Sequence, residues 1–324
     1  MKTKRRYSKQ GKRLIFISVL ILILLMALVA FLLLRGHNEK PEIQLGNINS
    51  NVDIAPDPTP LEPLTFMVID VGQGQSLFID YMDNEVLIDA GSYNDGSKKV
   101  YKMIKNYVDG PIEYVIGTHS HEDHLGGMSQ IYDNFRVKTT IYGDLDDNAW
   151  CNIFAEKARD QGEFINDENT TIELGPKTTL TIYDVEDNAE NTNNNSVVCL
   201  LQHGQNKFFM SGDLEKEAEV KLRKEIGNVD VVVLSHHGSD TSNTNLDVLK
   251  PKLALASCSK DNEYGHINKE TLERALKYSG RVFATYKSKT MILTSDGQKI
   301  EYNMDDKERL GEDDYGTVKV EGGN

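Results

Sequence analysis

Six consecutive residues, His119-Ser120-His121-Glu122-Asp123-His124, set three imidazoles and an aspartate between an apolar run, Val115-Ile116-Gly117, and Leu125-Gly126-Gly127. A metal site is the reading that most narrows what such a chain can become. Residues two apart on an extended segment point the same way, so His119 and His121 can grip one cation. Asp123 and His124, a step further round the turn, aim at a second. The bland alternative is a His-rich surface loop, but a strand in front and Gly-Gly behind are the context a ligand motif needs. Of the 8 histidines in the chain, three more lie in short polar runs after apolar ones: His236 and His237 in Ser-His-His-Gly-Ser, and His266 in Tyr-Gly-His. His37 falls in a linker, and His203 opens the turn His203-Gly204-Gln205-Asn206, where a solvated residue is expected.

The chain divides by composition. Residues 1–13 form a basic tail without acids, and residues 14–34 are apolar apart from Ser18, long enough to span a bilayer. No small-x-small cleavage site follows before Arg35-Gly36, so a signal anchor is expected rather than a cleaved leader. Positive charge on its N-terminal side would keep the tail in the cytoplasm and export the body. Residues 35–63 hold five of the 8 prolines and read as an extended linker, residues 64–303 as a body of the size of one two-layered α/β domain, and residues 304–324 as an acidic disordered tail.

Everything beyond residue 36 carries 28 basic against 50 acidic residues, a net −22, which argues against tight sequence-independent grip on a duplex through a basic face. Lys98, Lys99, Lys102 and Lys105 share one expected helix and read as a solvated face. Cys199 and Cys258 lie in apolar strand-like runs, and with Cys151 they predict no essential disulfide.

Short β-prone runs at Thr65 to Asp70, Ser76 to Asp80, Glu85 to Asp89 and Tyr114 to Gly117 precede or surround an amphipathic helix carrying Val100, Ile104 and Val108 inward. Strands are expected again at Leu180 to Tyr183, Val197 to Gln202, Lys207 to Met210 and Val229 to Leu234. Helices are expected near Leu214 to Ile226 and at Lys269 to Tyr278, the latter capped by Asn268 and stopped at Gly280. Candidate ligands then fall at strand ends: His119 after Gly117, Asp89 after Ile88, Asp213 after Met210 and His236 after Leu234. For Asp213, in Ser-Gly-Asp-Leu-Glu, a helix N-cap is the competing use.

With these motifs in place, the body resembles the metallo-β-lactamase superfamily, and within it the ComEC-type subgroup of hydrolase domains linked to late competence proteins. The narrower likeness rests on Asp70-Val71-Gly72-Gln73-Gly74, Leu87-Ile88-Asp89-Ala90-Gly91, His236-His237-Gly238-Ser239 and Tyr264-Gly265-His266. The resemblance implies an α/β (α+β) fold, an αββα sandwich with metals at its edge, here preceded by the single transmembrane helix. It implies that His119 and His121 hold the first metal, Asp123 and His124 the second, and that Asp213 bridges them. One of His236 and His237 completes the second site, and His266 at the mouth contacts substrate or leaving group. Asp89, Asn195, Ser239 and Tyr264 would support the site or touch substrate. Many superfamily members supply a third histidine to the first metal where this chain has Asn193-Asn194-Asn195-Ser196, and Gln75 stands where the subgroup often has an acid.

Two divalent ions, zinc before manganese or iron, would generate a metal-bound hydroxide, with Asp123 orienting or deprotonating the water. The expected function is a membrane-anchored, extracytoplasmic phosphodiesterase acting on nucleic acid (DNA) or a cell-envelope polymer; a lactam or ester hydrolase would want the missing third histidine. The alternative is a non-catalytic metal-binding surface module on the same fold.

Overall fold

The computed structural model describes residues 60–318, apart from residues 94, 145, 167–168, 184 and 186–189. The expected basic tail, signal anchor and most of the linker lie outside the described residues; among those described, no helix is long and apolar enough to cross a membrane. In chain order the strands are β1 (Leu64–Val68), β2 (Leu77–Tyr81), β3 (Asn84–Ile88), β4 (Ile112–Gly117), β5 (Val137–Tyr142), β6 (Glu163–Asn166), β7 (Thr170–Gly175), β8 (Thr178–Tyr183) and β9 (Val198–His203). They continue with β10 (Asn206–Met210), β11 (Val231–Val233), β12 (Leu253–Ala256), β13 (Asp261–Asn262), β14 (Arg281–Ala284), β15 (Met291–Ser295), β16 (Ile300–Tyr302) and β17 (Thr317–Val318).

Two large sheets result, ordered β16-β15-β1-β2-β3-β4-β5-β6 and β14-β12-β11-β10-β9-β8-β7. Each is antiparallel on one side and parallel on the other: β3, β4, β5 and β6 run parallel in the first, β10, β11, β12 and β14 in the second. Period-two alternation explains how both faces of each sheet are covered. In β1, Leu64, Phe66 and Val68 enter the core between the sheets while Met67 points to a helical layer; in β10, Phe208 and Met210 enter that core and Phe209 points away. Phe66 and Phe208 meet with ring centroids 5.1 Å apart.

The outer face of the first sheet is covered by the helices Asp95–Ile104, through Val100 and Ile104, and Ala149–Gln161, through Phe154 and Ala158. The second is covered by Lys216–Ile226 and Lys269–Tyr278. Asn268 caps the latter, its Oδ1 accepting the Glu270 N–H at 3.0 Å, and Ser279 ends it one residue before Gly280. Val108 is only half-buried and lies beyond its helix. The layers are helix, sheet, sheet, helix, the mixed α/β sandwich that the resemblance implies.

Two expectations are corrected. His203 is fully buried, not solvated: its Nδ1 lies 2.7 Å from Ser295 Oγ and its ring sits edge-on to Tyr81 at 5.0 Å, so it joins β9 of one sheet to β15 of the other. The stretch 304–318 is not disordered. Met304 and Leu310 are buried, Asp305 and Glu308 close a capping box, and β17 pairs in parallel with β13. Gly316 lies so close to the His266 carbonyl oxygen that a Cβ would stand 2.1 Å from it, and its N–H donates to the Ile267 carbonyl at 2.7 Å.

Cys151, Cys199 and Cys258 are each buried and form no disulfide, and burial pushes the Cys258 thiol up to about 12.

Candidate metal centre

Parallel strands present their C-terminal ends together, and the candidate ligands follow those ends: Asp89 after β3, His119 to His124 after β4, Asp213 after β10, His236 and His237 after β11. Backbone strain gathers at the same edge. Asp89, His236 and His237 all have left-handed φ, at 58°, 50° and 55°. Such residues cost roughly 1–3 kcal/mol each and persist only where surroundings over-determine them. Here the surroundings do: Ser235 Oγ donates to the Gly212 and Leu214 carbonyls, His236 N–H donates to Gly212 O, and Asn243 Oδ1 accepts the Ser235 N–H.

Three imidazoles share one pattern. His124 Nδ1–H donates to Asp89 Oδ2 at 2.7 Å, His237 Nδ1–H to the Ser257 carbonyl at 2.9 Å, and His119 Nδ1 faces Thr118 Oγ1 at 3.2 Å. Each therefore turns its Nε2 inward. His124 Nε2 lies 3.2 Å from Asp213 Oδ1 and 3.3 Å from His237 Nε2; His119 Nε2 and His237 Nε2 lie 3.7 and 3.6 Å from Asp213 Oδ2. Asp123 Oδ2 is 3.1 Å from His237 Nε2. Buried Asp213 Oδ1 is close to a nitrogen yet lacks an aligned hydrogen bond, and two imidazole nitrogens face each other. Lone pairs so arranged want a cation or a proton between them, so the donor set fits divalent metal. Two overlapping triads emerge, His119-His124-Asp213 and Asp123-His124-His237.

The remaining candidates fall around these. His121 is exposed and stands outside both triads, its Nδ1 3.1 Å from His119 Nε2. His236 also stands outside, its Nε2 3.7 Å from Asp213 Oδ2 and its Nδ1 held near Thr241 and Glu215, so of the two adjacent histidines it is His237 that joins a triad. Asp213 is not an N-cap; the following helix is entered through Glu215. Asn195 is buried in the 3₁₀ turn Thr192–Asn195, whose neighbours Asn193 and Asn194 bond Glu215, and Ser196 Oγ accepts the Asp213 N–H. Ser239 is buried and its Oγ lies 3.1 Å from Thr241 Oγ1. His266 lies 5.3 Å from His236 and 5.4 Å from exposed Tyr264, ring to ring, with its own Nδ1 buried and unpartnered.

Electrostatics follow the geometry. Burial raises the cost of ionising Asp213, but the encircling imidazoles outweigh it and hold its carboxyl well below the usual range; Asp123 is held down in the same way by His124 and His237. Burial pulls His124 and His237 down, yet Asp213 and its fellow carboxylates more than offset it and raise both. His119 is pushed well below its ordinary value, by burial first and by His124 next. His266 is pushed down to about 4 by burial and by the two neighbouring histidines.

Three supporting residues, Gln75, Ser257 and Thr118, were not singled out as site residues from sequence; Thr118 donates to both oxygens of Asp89 and faces His119 Nδ1. Gln75 Nε2 donates to Asp89 Oδ2 at 2.8 Å, which fixes the carboxylate that in turn fixes His124; Ser257 supplies the carbonyl that orients His237. The Gly-Gln-Gly-Gln run carried a signal for the first, and nothing local marked the second. Gly74, at φ 125°, lets this loop pass the Asp123 carbonyl where a Cβ would stand 2.5 Å away. A cleft of about 500 Å³ opens beside the triads, lined by His121, Glu122, Asp123, Asp261, Glu263 and Tyr264 among others.

Residues 69–219 match the family model of the metallo-beta-lactamase superfamily. The chain is similar to ComE operon protein 3 of Bacillus subtilis, 26% identical over 249 residues that cover 69% of this chain and 32% of that protein. It is also similar to Recombination protein 2 of Haemophilus influenzae, 28% identical over 225 residues covering 66% and 26%. It thus spans about a third or less of the length of these relatives. Among solved structures it is similar to Igni18, a metallo hydrolase from Ignicoccus hospitalis, at 15% identity and a TM-score of 0.49 over 70% of this chain and 98% of that one.

Proposed function

From the match of residues 69–219 to the metallo-beta-lactamase superfamily model, we propose that this chain is a binuclear phosphodiesterase, held at the membrane by residues 14–34 with its body outside the cytoplasm. The observation that carries the reading is the trio of imidazoles that spend Nδ1 on Asp89, Thr118 and Ser257 and turn Nε2 toward Asp213. His119 and Asp213 would hold a first ion, with exposed His121 beside them, and Asp123, His124 and His237 a second, with Asp213 facing both sets. When bound, such ions acidify a water for in-line attack and take up charge on the leaving oxygen.

The chain's own groups do the rest. Asp123, partly open to the cleft and held ionised, orients the attacking water or accepts its proton. His266 is neutral at physiological pH and hydrogen-bonds a substrate oxygen from the rim. Asp89 and Gln75 keep His124 in the tautomer that presents Nε2. The name Recombination protein 2 supports nucleic acid as the phosphodiester, with an envelope polymer as the second candidate. Zinc suits the imidazole-carboxylate set; manganese or iron suits it if fewer nitrogens bind.

The test is metal content by mass spectrometry together with turnover of bis(p-nitrophenyl) phosphate, for the full chain and for Asp213→Ala and His124→Ala. About two metals per chain, with turnover down at least 100-fold in both variants, is expected. A wild-type chain that neither binds metal nor turns over after reconstitution with zinc or manganese would leave a non-catalytic module as the reading.

A further inference from the structure

On the far side of the Asp70–Gly74 loop from the metal cleft lies a second groove of about 310 Å³, lined by Ile69, Asp70, Lys99, Lys102, Met103, Lys289 and Thr290. Lys99 and Lys102 are neighbours three apart on the helix Asp95–Ile104, and Lys289 arrives from the other end of the chain in a left-handed conformation, φ 63°. All three are exposed, and none forms an ion pair among the described residues, whereas Lys138, Lys157, Lys252 and Lys287 all do. The one acid in the groove, Asp70, spends Oδ1 on the Gly72 N–H. Three ammonium groups against one carboxylate leave this hollow with a surplus of positive charge on a body of net −22, a place where an anion is favoured.

The groove adjoins the cleft. A single point at Gly72 is 3.9 Å from Lys99 Nζ and 3.7 Å from Ser259 Oγ, and Ser259 lines the metal cleft. The cleft itself offers carboxylates and, on its rim, Tyr264, 63% exposed and stacked on His266. We infer that Lys99, Lys102 and Lys289 bind a backbone phosphate beside the scissile one, so that a single nucleic-acid strand lies across the Asp70–Gly74 loop with a base on Tyr264. This rests on the phosphodiesterase reading for its geometry. A lysine groove that follows the backbone together with an aromatic platform is the combination single strands use, and a polyol phosphate has no ring for Tyr264. A duplex would need a longer basic track than three lysines.

The test uses the full chain and the triple variant K99Q/K102Q/K289Q, whose replaced side chains are solvent-exposed. Fluorescein-labelled dT12 is bound in EDTA and followed by anisotropy over a salt series, and bis(p-nitrophenyl) phosphate turnover is measured separately. Expected are dT12 affinity at least 10-fold weaker in the variant, a log–log salt slope shallower by about 1–2 from lost phosphate contacts, and turnover of the small diester unchanged. Equal affinities and slopes would overturn the inference. So would an equal loss of small-diester turnover, which would mean general damage. Poly(glycerol phosphate) competing as well as dT12 at equal phosphate would overturn the assignment to nucleic acid. A wild type that does not turn over the small diester, yet binds dT12 through these lysines, would defeat the phosphodiesterase reading while supporting the groove.

Discussion

At the scale of single residues, the centre depends as much on the groups behind the ligands as on the ligands. Asp89 receives Thr118 N–H, Thr118 Oγ1, Gln75 Nε2 and His124 Nδ1 on its two oxygens. An amide in its place keeps the size but removes an acceptor, and turns a donor toward groups that already donate. Asp89→Asn should weaken metal binding by about 10–100-fold with the fold retained, read by competition against a chromophoric chelator; an unchanged affinity would remove Asp89 from the supporting set. The raised affinity of His124 and His237 for protons sets a second expectation. Their Nε2 atoms face each other 3.3 Å apart beside Asp213, so a proton held among these groups in the metal-free protein must leave when metal enters. Metal affinity should therefore fall as pH is lowered, by up to about tenfold per unit for each proton displaced, with proton release visible in weakly buffered titrations. Affinity flat between pH 8 and 6 would contradict this.

At the scale of elements, the C-terminal stretch makes the sharpest claim. β17 pairs with β13, Gly316 rests on the His266 carbonyl, Thr317 N–H donates to Lys260 O, and Lys287 pairs with Asp314. Gly316→Ala should displace the loop carrying Tyr264 and His266, lowering turnover by about 10–100-fold while leaving metal content at its wild-type value. Lost metal would place the strap's effect on the ligands instead. What was legible in sequence follows from how local the signal is. The apolar runs of β1, β9 and β10 bounded by turn residues and the Asn268 cap are written in adjacent residues, and the elements form within a few residues of their expected ends. His119 to His124 was legible for the same reason. β12 was not, because Leu253-Ala254-Leu255-Ala256 is buried on both faces and shows no polar alternation. His203 and the 304–318 stretch were misread because their partners are distant: Ser295 and Tyr81 for the first, Lys260 to Ile267 for the second. Turn-like and acidic composition outweighed contacts that no window of sequence contains.

At the scale of the molecule, the described residues belong to one compact unit that begins at Pro58, and every ligand of both triads lies within it. Removing residues 1–57 should therefore convert a membrane-sedimenting protein into one that stays in the supernatant, with turnover of bis(p-nitrophenyl) phosphate within about twofold of the full chain. A full chain that never sediments with membranes would refute the anchor, and a truncated chain without turnover would show that the linker takes part in the site.

The last of the ligands, His237, precedes β17 by some eighty residues. A chain cut before residue 314 would keep every residue of both triads and lose the strand that backs the His266 carbonyl, separating the metal-ligating set from the rim of the cleft.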